Sequence, residues 1–422
     1  MNVAGRGIPL LVALNRNPVA KMIVGVVVAG LMAFVLLPRA RSDYSGLVAS
    51  GLAAHSSSDG KLDGRPKGRL AQTLSETREF EFEYRIEIPM PSPKAGPIHV
   101  FVPIAADTKA QKILELEIET ELQGRIETEA IYGNRFWHGV IAADRTETAS
   151  LDLRYSVARS TFRAGDVQGA QQAQRAAQLF LAPNERVVVA HPVLAPILRE
   201  IRETSRGEGK PERARAIYDW IVDNVEYKKV GSGWGNGDTF WACSERYGNC
   251  TDFHSLFISL ARTEGIPARF EMGFSIPLDR EEGWVSGYHC WVAFWLPEVG
   301  WFPIDASEAF KHPEKRELYY GTQPADRFHF TTGRDLRLGP DHLDRPLNYF
   351  IYPYVEIAGQ RSDLEIRTQF RYREVETGEA RKASEHPIEE PTGREVRALA
   401  RSVHAIDSER DLEGRAGHQV NW

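Results

Sequence analysis

The chain has 422 residues, 42% hydrophobic and 26% charged, enough for a sizeable core and for more than one domain. Its 52 Lys and Arg against 58 Asp and Glu give a formal charge of -6, with no basic stripe interleaved with aromatics, so nucleic acid is not an expected partner. Three cysteines are too few for a disulfide framework, and an odd number leaves at least one thiol free or engaged in chemistry.

The first segment, residues 1–41, has targeting character. Met22 to Pro38, "MIVGVVVAGLMAFVLLP", is uncharged and follows Arg6, Arg16 and Lys21. A spanning helix needs roughly 17 to 25 residues. A secretory signal has a core of about 7 to 15, followed by small residues. Pro38, Arg39 and Arg41 follow here, so an uncleaved transmembrane anchor over 22–38 is expected. The basic residues before it favour an inside N-terminus, which places a membrane-anchored body outside the cytoplasm. Residues 42–75, rich in Gly, Ser and charge, read as a flexible linker.

The period then becomes two. "FEFEYRIEI" puts Phe80, Phe82, Tyr84, Ile86 and Ile88 on one face, and Ile98–Ile104, Ile113–Thr120 and Ser150–Val157 repeat the alternation. Short half-buried strands in series predict a β-sandwich-like domain over 76–165, for packing or binding rather than chemistry. From about Ala190 the period is helical, with Leu194, Ile197, Leu198 and Ile201 in one stripe. Pro211 opens a second helix with apolar residues from Ala214 to Val225. The loop "VGSGWGNGD", Val230 to Asp238, lacks the Lys-Ser/Thr ending of a phosphate cradle and follows no strand. Strands are expected at Ala268–Ile276, Tyr288–Leu296 and from Trp301. Residues 376–422 carry few large apolar side chains and read as a charged tail without a core.

"ERYGNCTDFHSLFISLARTEGIPARF" carries the chemistry. Phe253, Leu256, Phe257, Leu260 and Ala261 line one helical face, Thr251 and Asp252 fill the first turn, and Gly265 with Pro267 ends the run. Asn249 and Gly248 shape the turn before it. Cys250 therefore stands at the positive end of a helix dipole, which favours the nucleophilic thiolate. The plain alternative is a small buried residue. Downstream, "GYHCWVAFWLPEVGWFPIDAS" reads as two strands and a tight connection. A turn centred near Pro297 puts His289 directly across from Asp305, and one shifted toward Gly300 separates them by about three residues, roughly 10 Å. In such a site Cys250 attacks a carbonyl carbon, His289 takes its proton and later protonates the leaving amine, and Asp305 orients the imidazole. The Cys250 N–H is a natural oxyanion donor, and the Trp241 indole N–H a second candidate.

These residues carry a family resemblance. A Gly-x-Cys, an apolar helix, "GIPAR", an aromatic-His-x-Trp strand and "GW-x-x-x-D" together resemble the transglutaminase-like superfamily over about Ala190 to Tyr372. The resemblance implies an α+β, papain-like core over 190–375, with a cysteine helix against an antiparallel sheet, and a Cys-His-Asp triad on Cys250, His289 and Asp305. The family includes amide hydrolases, peptidases and cross-linking enzymes. No counterpart of the animal enzymes' calcium sites is visible.

Of the neighbours, Cys290 turns to the strand face opposite His289, into the core. Cys243 is packing, a resolving thiol or a partner for Cys290. His254, at i+4 from Cys250, reaches the cleft or makes structural hydrogen bonds. Zinc on Cys243, Cys250, His289 and Cys290 is disfavoured, since adjacent His-Cys on a strand face apart. The expected activity is acyl transfer on peptide or protein amides through a thioester, with hydrolysis ahead of transamidation and no cofactor or metal. The alternative is a catalytically silent binding or scaffold protein on the same fold, at the membrane.

Overall fold

Alternation in sequence becomes alternation in burial. The computed structural model describes residues 77–90, 96–142, 144–165 and 175–375. Strand β1 (Thr77–Ile88) buries Phe80, Phe82, Tyr84, Ile86 and Ile88 and turns Glu83 and Arg85 to solvent. It pairs with β6 (Ala149–Ser160), which in turn pairs with β3 (Gln111–Thr120). A second sheet joins β2 (Ile98–Ile104) to β5 (Arg135–Ile141) and β5 to β4 (Gly124–Thr128). Strand β5 lacks a readable alternation because Phe136 to His138 are buried in succession. The anchor expected at 22–38, the linker at 42–75 and the tail at 376–422 lie outside the described residues. Among the described residues, no helix is long and apolar enough to cross a membrane.

The helical stretch gives α1 (Ala195–Thr204), α2 (Lys210–Asn224), which has Pro211 in its first turn, and short α3 (Thr239–Glu245). Helix α4 (Cys250–Thr263) is buried from Cys250 to Arg262. It packs on α2 and α3 and on the strands β7 (Ala268–Ser275) and, further along the chain, Tyr288–Leu296. It ends at Gly265, whose φ of +70° is costly for residues bearing a Cβ. After β8 (Glu282–Trp284), the strands β9 (Tyr288–Leu296), β10 (Gly300–Ile304) and, past helix α5 (Ala306–Lys311), β11 (Arg327–Thr332) complete the sheet under α4, ordered β10-β9-β7-β11.

The last strands fold back on the first. Strand β12 (Tyr354–Ile357) pairs with β2, opposing Tyr354 to Phe101. Strand β13 (Arg367–Glu374) takes the free edge of β1, opposing Tyr372 to Phe82, and carries β8 on its other side. The stretches 76–165 and 190–375, expected as separate domains, thus share both five-stranded sheets. They also share a core, where the Phe82 ring lies 5.3 Å from Phe274 and 5.0 Å from Phe328. The physical reason is an edge strand: β1 would otherwise expose a row of unpaired backbone groups, and only β13 covers it.

One buried carboxylate ties the glycine loop to the cysteine helix. Asp252 accepts N–H bonds from Asn249 (2.9 Å), Gly235 (2.6 Å) and Gly237 (3.0 Å). A Cβ on Gly237 would collide with Ser255 and Arg334. Asp252→Ala orphans two buried donors, the Asn249 and Gly237 N–H groups, and the half-buried one of Gly235, and should cost about 3 kcal/mol. Denaturant titration checks this, and a loss below about 1 kcal/mol contradicts it.

Candidate active site

The cysteine is delivered by its own turn. Asn249 caps α4, its Oδ1 accepting the Thr251 N–H at 2.8 Å while Asp252 accepts the Asn249 N–H, a reciprocal capping box. A side chain on Gly248 would strike the Asp252 carboxylate. Cys250 is the first helical residue and 3% exposed.

His289 and Asp305 meet, but not in direct register. The β9–β10 ladder opposes Val292 to Ile304 and Leu296 to Gly300, so the turn is centred on Glu298, between the two positions considered from sequence. Continued past β10, that register faces Asp305 with Trp291. His289 lies two residues further along the same strand face and reaches Asp305 diagonally. His289 Nε2 and Asp305 Oδ2 are 2.6 Å apart. That contact leaves the other ring nitrogen, Nδ1, free, and Cys250 is among the groups that favour a charged His289.

Asp305 is the most heavily partnered group in the site. Its Oδ2 also receives Arg327 Nη2 at 2.9 Å, and its Oδ1 receives Ser307 Oγ and the Glu308 N–H, each at 3.0 Å, as the N-cap of α5. Burial alone would raise the carboxyl, but facing His289 and Arg327 hold it well below its ordinary value. Burial also opposes charge on His289, yet the Asp305 carboxylate outweighs it and lifts the imidazole to about 9. The Cys250 thiol is lowered well below its ordinary value by a hydrogen bond from Cys290, against burial, and then by His289. Both shifts favour the charged forms, thiolate on Cys250 and imidazolium on His289. Arg327, 1% exposed on β11, was not foreseen. Burial on that strand does not alternate, so no sequence period marks the residue as inward.

The remaining expected residues fall as follows. Trp241 donates its single indole N–H to the Tyr247 carbonyl at 3.1 Å, so the oxyanion role considered for it is withdrawn. Cys243 sits on α3, its thiol pushed by burial up to about 11. Cys290 is fully buried on the face opposite His289, as alternation requires, but that face is the one α4 covers. Its sulfur lies 3.8 Å from Thr251 Oγ1 and 3.6 Å from His254 Nδ1. His254 is buried and accepts the Ala306 N–H at 3.2 Å. Metal-ligand chemistry clusters elsewhere among the described residues. Glu127, His138 and Asp341 come together on the second sheet and its flanking loop, where Arg125 already lies against both carboxylates.

Residues 197–306 match the Transglutaminase-like superfamily, a span containing Cys250, His289 and Asp305. The core of this chain is a transglutaminase-like domain. An uncharacterized protein of Haemophilus influenzae is 29% identical over 193 residues, 38% of this chain and 52% of that protein. The uncharacterized protein YebA of Bacillus subtilis is 31% identical over 130 residues, 27% of this chain and 17% of YebA. The chain thus spans about half of the first relative and less of the second. Among solved structures, a candidate cysteine protease from Cytophaga hutchinsonii aligns at 18% identity and TM-score 0.48, covering 72% of this chain and 93% of that one. The periplasmic domain of TgpA from Pseudomonas aeruginosa aligns at 16% and 0.27, covering 50% and 97%.

Arg327→Met removes one of the two cations on a buried carboxylate. It should cost roughly 3–5 kcal/mol, and because Arg327 opposes the His289 charge, it should move the imidazole upward from about 9. An NMR titration of His289 that stays at or below the wild-type value contradicts this.

Proposed function

We propose that this chain catalyses acyl transfer from peptide or protein amides through a thioester on Cys250, and that water resolves the thioester. The observation carrying this is the 2.6 Å His289–Asp305 contact, which fixes the ring with Nδ1 free for a sulfur at a helix start. A binding scaffold has no physical need for a buried carboxylate, an imidazolium and a thiolate in series.

The cycle follows from the groups present. The Cys250 thiolate adds to the amide carbonyl, and the developing oxyanion meets the amide end of α4. Imidazolium at His289 gives its proton to the departing amine, leaving a neutral ring that deprotonates the incoming water. Water adds to the thioester, the acid departs, and the thiolate–imidazolium pair is restored. Transamidation is the same second step with an amine in place of water. The body works outside the cytoplasm in this reading, held by the helix expected at 22–38. Protease protection of sealed membranes tests that placement, and a body sheltered on the cytoplasmic side overturns it.

The pH behaviour has a defined sign. Thiolate persists below the ordinary thiol range, so nucleophilicity is present at neutral pH. Leaving-group protonation fails as pH rises through about 9, where His289 loses its proton. Iodoacetamide should label Cys250 at neutral pH at least about tenfold faster than Cys243, whose thiol titrates near 11. Incubation with a peptide library should leave an acyl adduct on Cys250, read by mass and absent in Cys250→Ala. Equal labelling of the two thiols would falsify the nucleophile assignment.

A further inference from the structure

One half-buried tyrosine next to the imidazole has no part in the cycle above. Tyr288 precedes His289 on β9, and alternation turns it to the opposite face, toward the start of α4. Its hydroxyl accepts the Asn249 Nδ2–H at 3.0 Å and is hydrogen-bonded to Thr251 Oγ1 at 2.9 Å. Those two residues flank Cys250 in the chain. A single phenol oxygen thus grips the backbone neighbours on both sides of the cysteine, while its own chain runs directly into His289. The Asn249 amide is oriented by its two ends: Oδ1 caps α4 through the Thr251 N–H, and Nδ2 reaches across to Tyr288.

The tyrosine is itself held in place. Its N–H donates to the Tyr352 hydroxyl at 3.3 Å, its ring centre lies 5.8 Å from that of Tyr349, and its backbone opposes Phe274 in the β7–β9 ladder. A fixed strand and a capped helix start are joined at one oxygen.

We propose that Tyr288 is a positioning residue that sets the distance between Cys250 and His289, its hydroxyl clamping the cysteine turn to the strand that carries the imidazole. This rests on the thiol-nucleophile reading. Phenylalanine would supply the same ring, so the clamp lies in the hydroxyl alone. Burial lifts the phenol above its ordinary value, so it is neutral at working pH and its removal takes away no charge. A change in Cys250 acidity without it reports the placement of the thiol.

The groups facing Cys250 stay the same in such a comparison. Asp252 and His254 come from its own helix, Cys290 from β9, and Tyr227 from the strand after α2. Tyr349 and Tyr352 face it from the segment before β12, and Asp305 stands behind His289.

The test is the pH profile of Cys250 alkylation in Tyr288→Phe and in the pair Thr251→Val and Thr251→Ser, with Cys243 as internal reference. Tyr288→Phe should move the midpoint upward by about one pH unit, about a tenfold change in thiol acidity. Thr251→Val, which keeps the shape and loses the hydroxyl, should move it by about half a unit, and Thr251→Ser, which keeps the hydroxyl, by less than about 0.2. Tyr288→Phe combined with Thr251→Val should go no further than Tyr288→Phe alone, since both remove the same bond. A merely loosened fold would expose both thiols and speed their labelling at every pH without moving the midpoint. That result overturns the proposal, as does a wild-type midpoint in Tyr288→Phe or an equal shift in the two Thr251 variants. The Thr251 pair, with the tyrosine retained, carries the test if Tyr288→Phe fails to fold. Wild-type Cys250 labelling no faster than Cys243 at neutral pH would instead sink the nucleophile reading itself, so the two failures are distinct.

Discussion

The Asp305 carboxylate is the constraint on which the rest of the site depends. An ionised carboxyl that is 4% exposed is tolerable only if every lone pair is used and a compensating charge is close. Here two cations share one oxygen, and a hydroxyl and a helix-start N–H take the other. The same group therefore closes β10, opens α5 and fixes the imidazole. The geometry of the His289–Asp305 pair and the capping of α5 are one set of hydrogen bonds, so neither can relax without the other.

That constraint draws in residues remote in sequence. Arg327 comes from β11, on the far side of the four-stranded sheet from β10, and its backbone carbonyl accepts from buried Arg159 on β6 at 2.5 Å. Gln111 on β3 bonds to the backbone of His329 in both directions, its amide donating to the carbonyl and its oxygen accepting the N–H. The N-terminal strands thus brace the strand that supplies the second cation to Asp305. This gives the β-rich stretch a mechanical connection to the chemistry, which its sequence alone, read as a packing or binding module, does not suggest.

Local signals were legible, long-range ones were not. The cysteine helix could be read because its cap, its stripe and its terminating Gly265 all lie within one segment. Strands β1, β3 and β6 could be read because one face of each carries charge, whereas β2 and β5 are buried nearly throughout and have no charged run to alternate against. The His289–Asp305 pairing was bracketed between two turn positions, since a hairpin register depends on one loop residue more or less. The return of β12 and β13 to the first two sheets left no trace in any window, because pairing across nearly 300 residues is set by which edge remains open. Arg327 and the Cys290 sulfur were hidden for a related reason: alternation tells which face a residue takes, not what covers that face.

Burial alone pushes both active-site thiols in the same direction, toward the neutral form. Two buried sulfurs would ordinarily both be inert. What separates them is position relative to a helix start and an imidazolium, and each separation reinforces the other. The more fully Cys250 is ionised, the more a second thiolate beside it is opposed by like charge, and the Cys290 proton is retained. Two identical side chains are thereby pushed in opposite directions, by environment rather than by residue type.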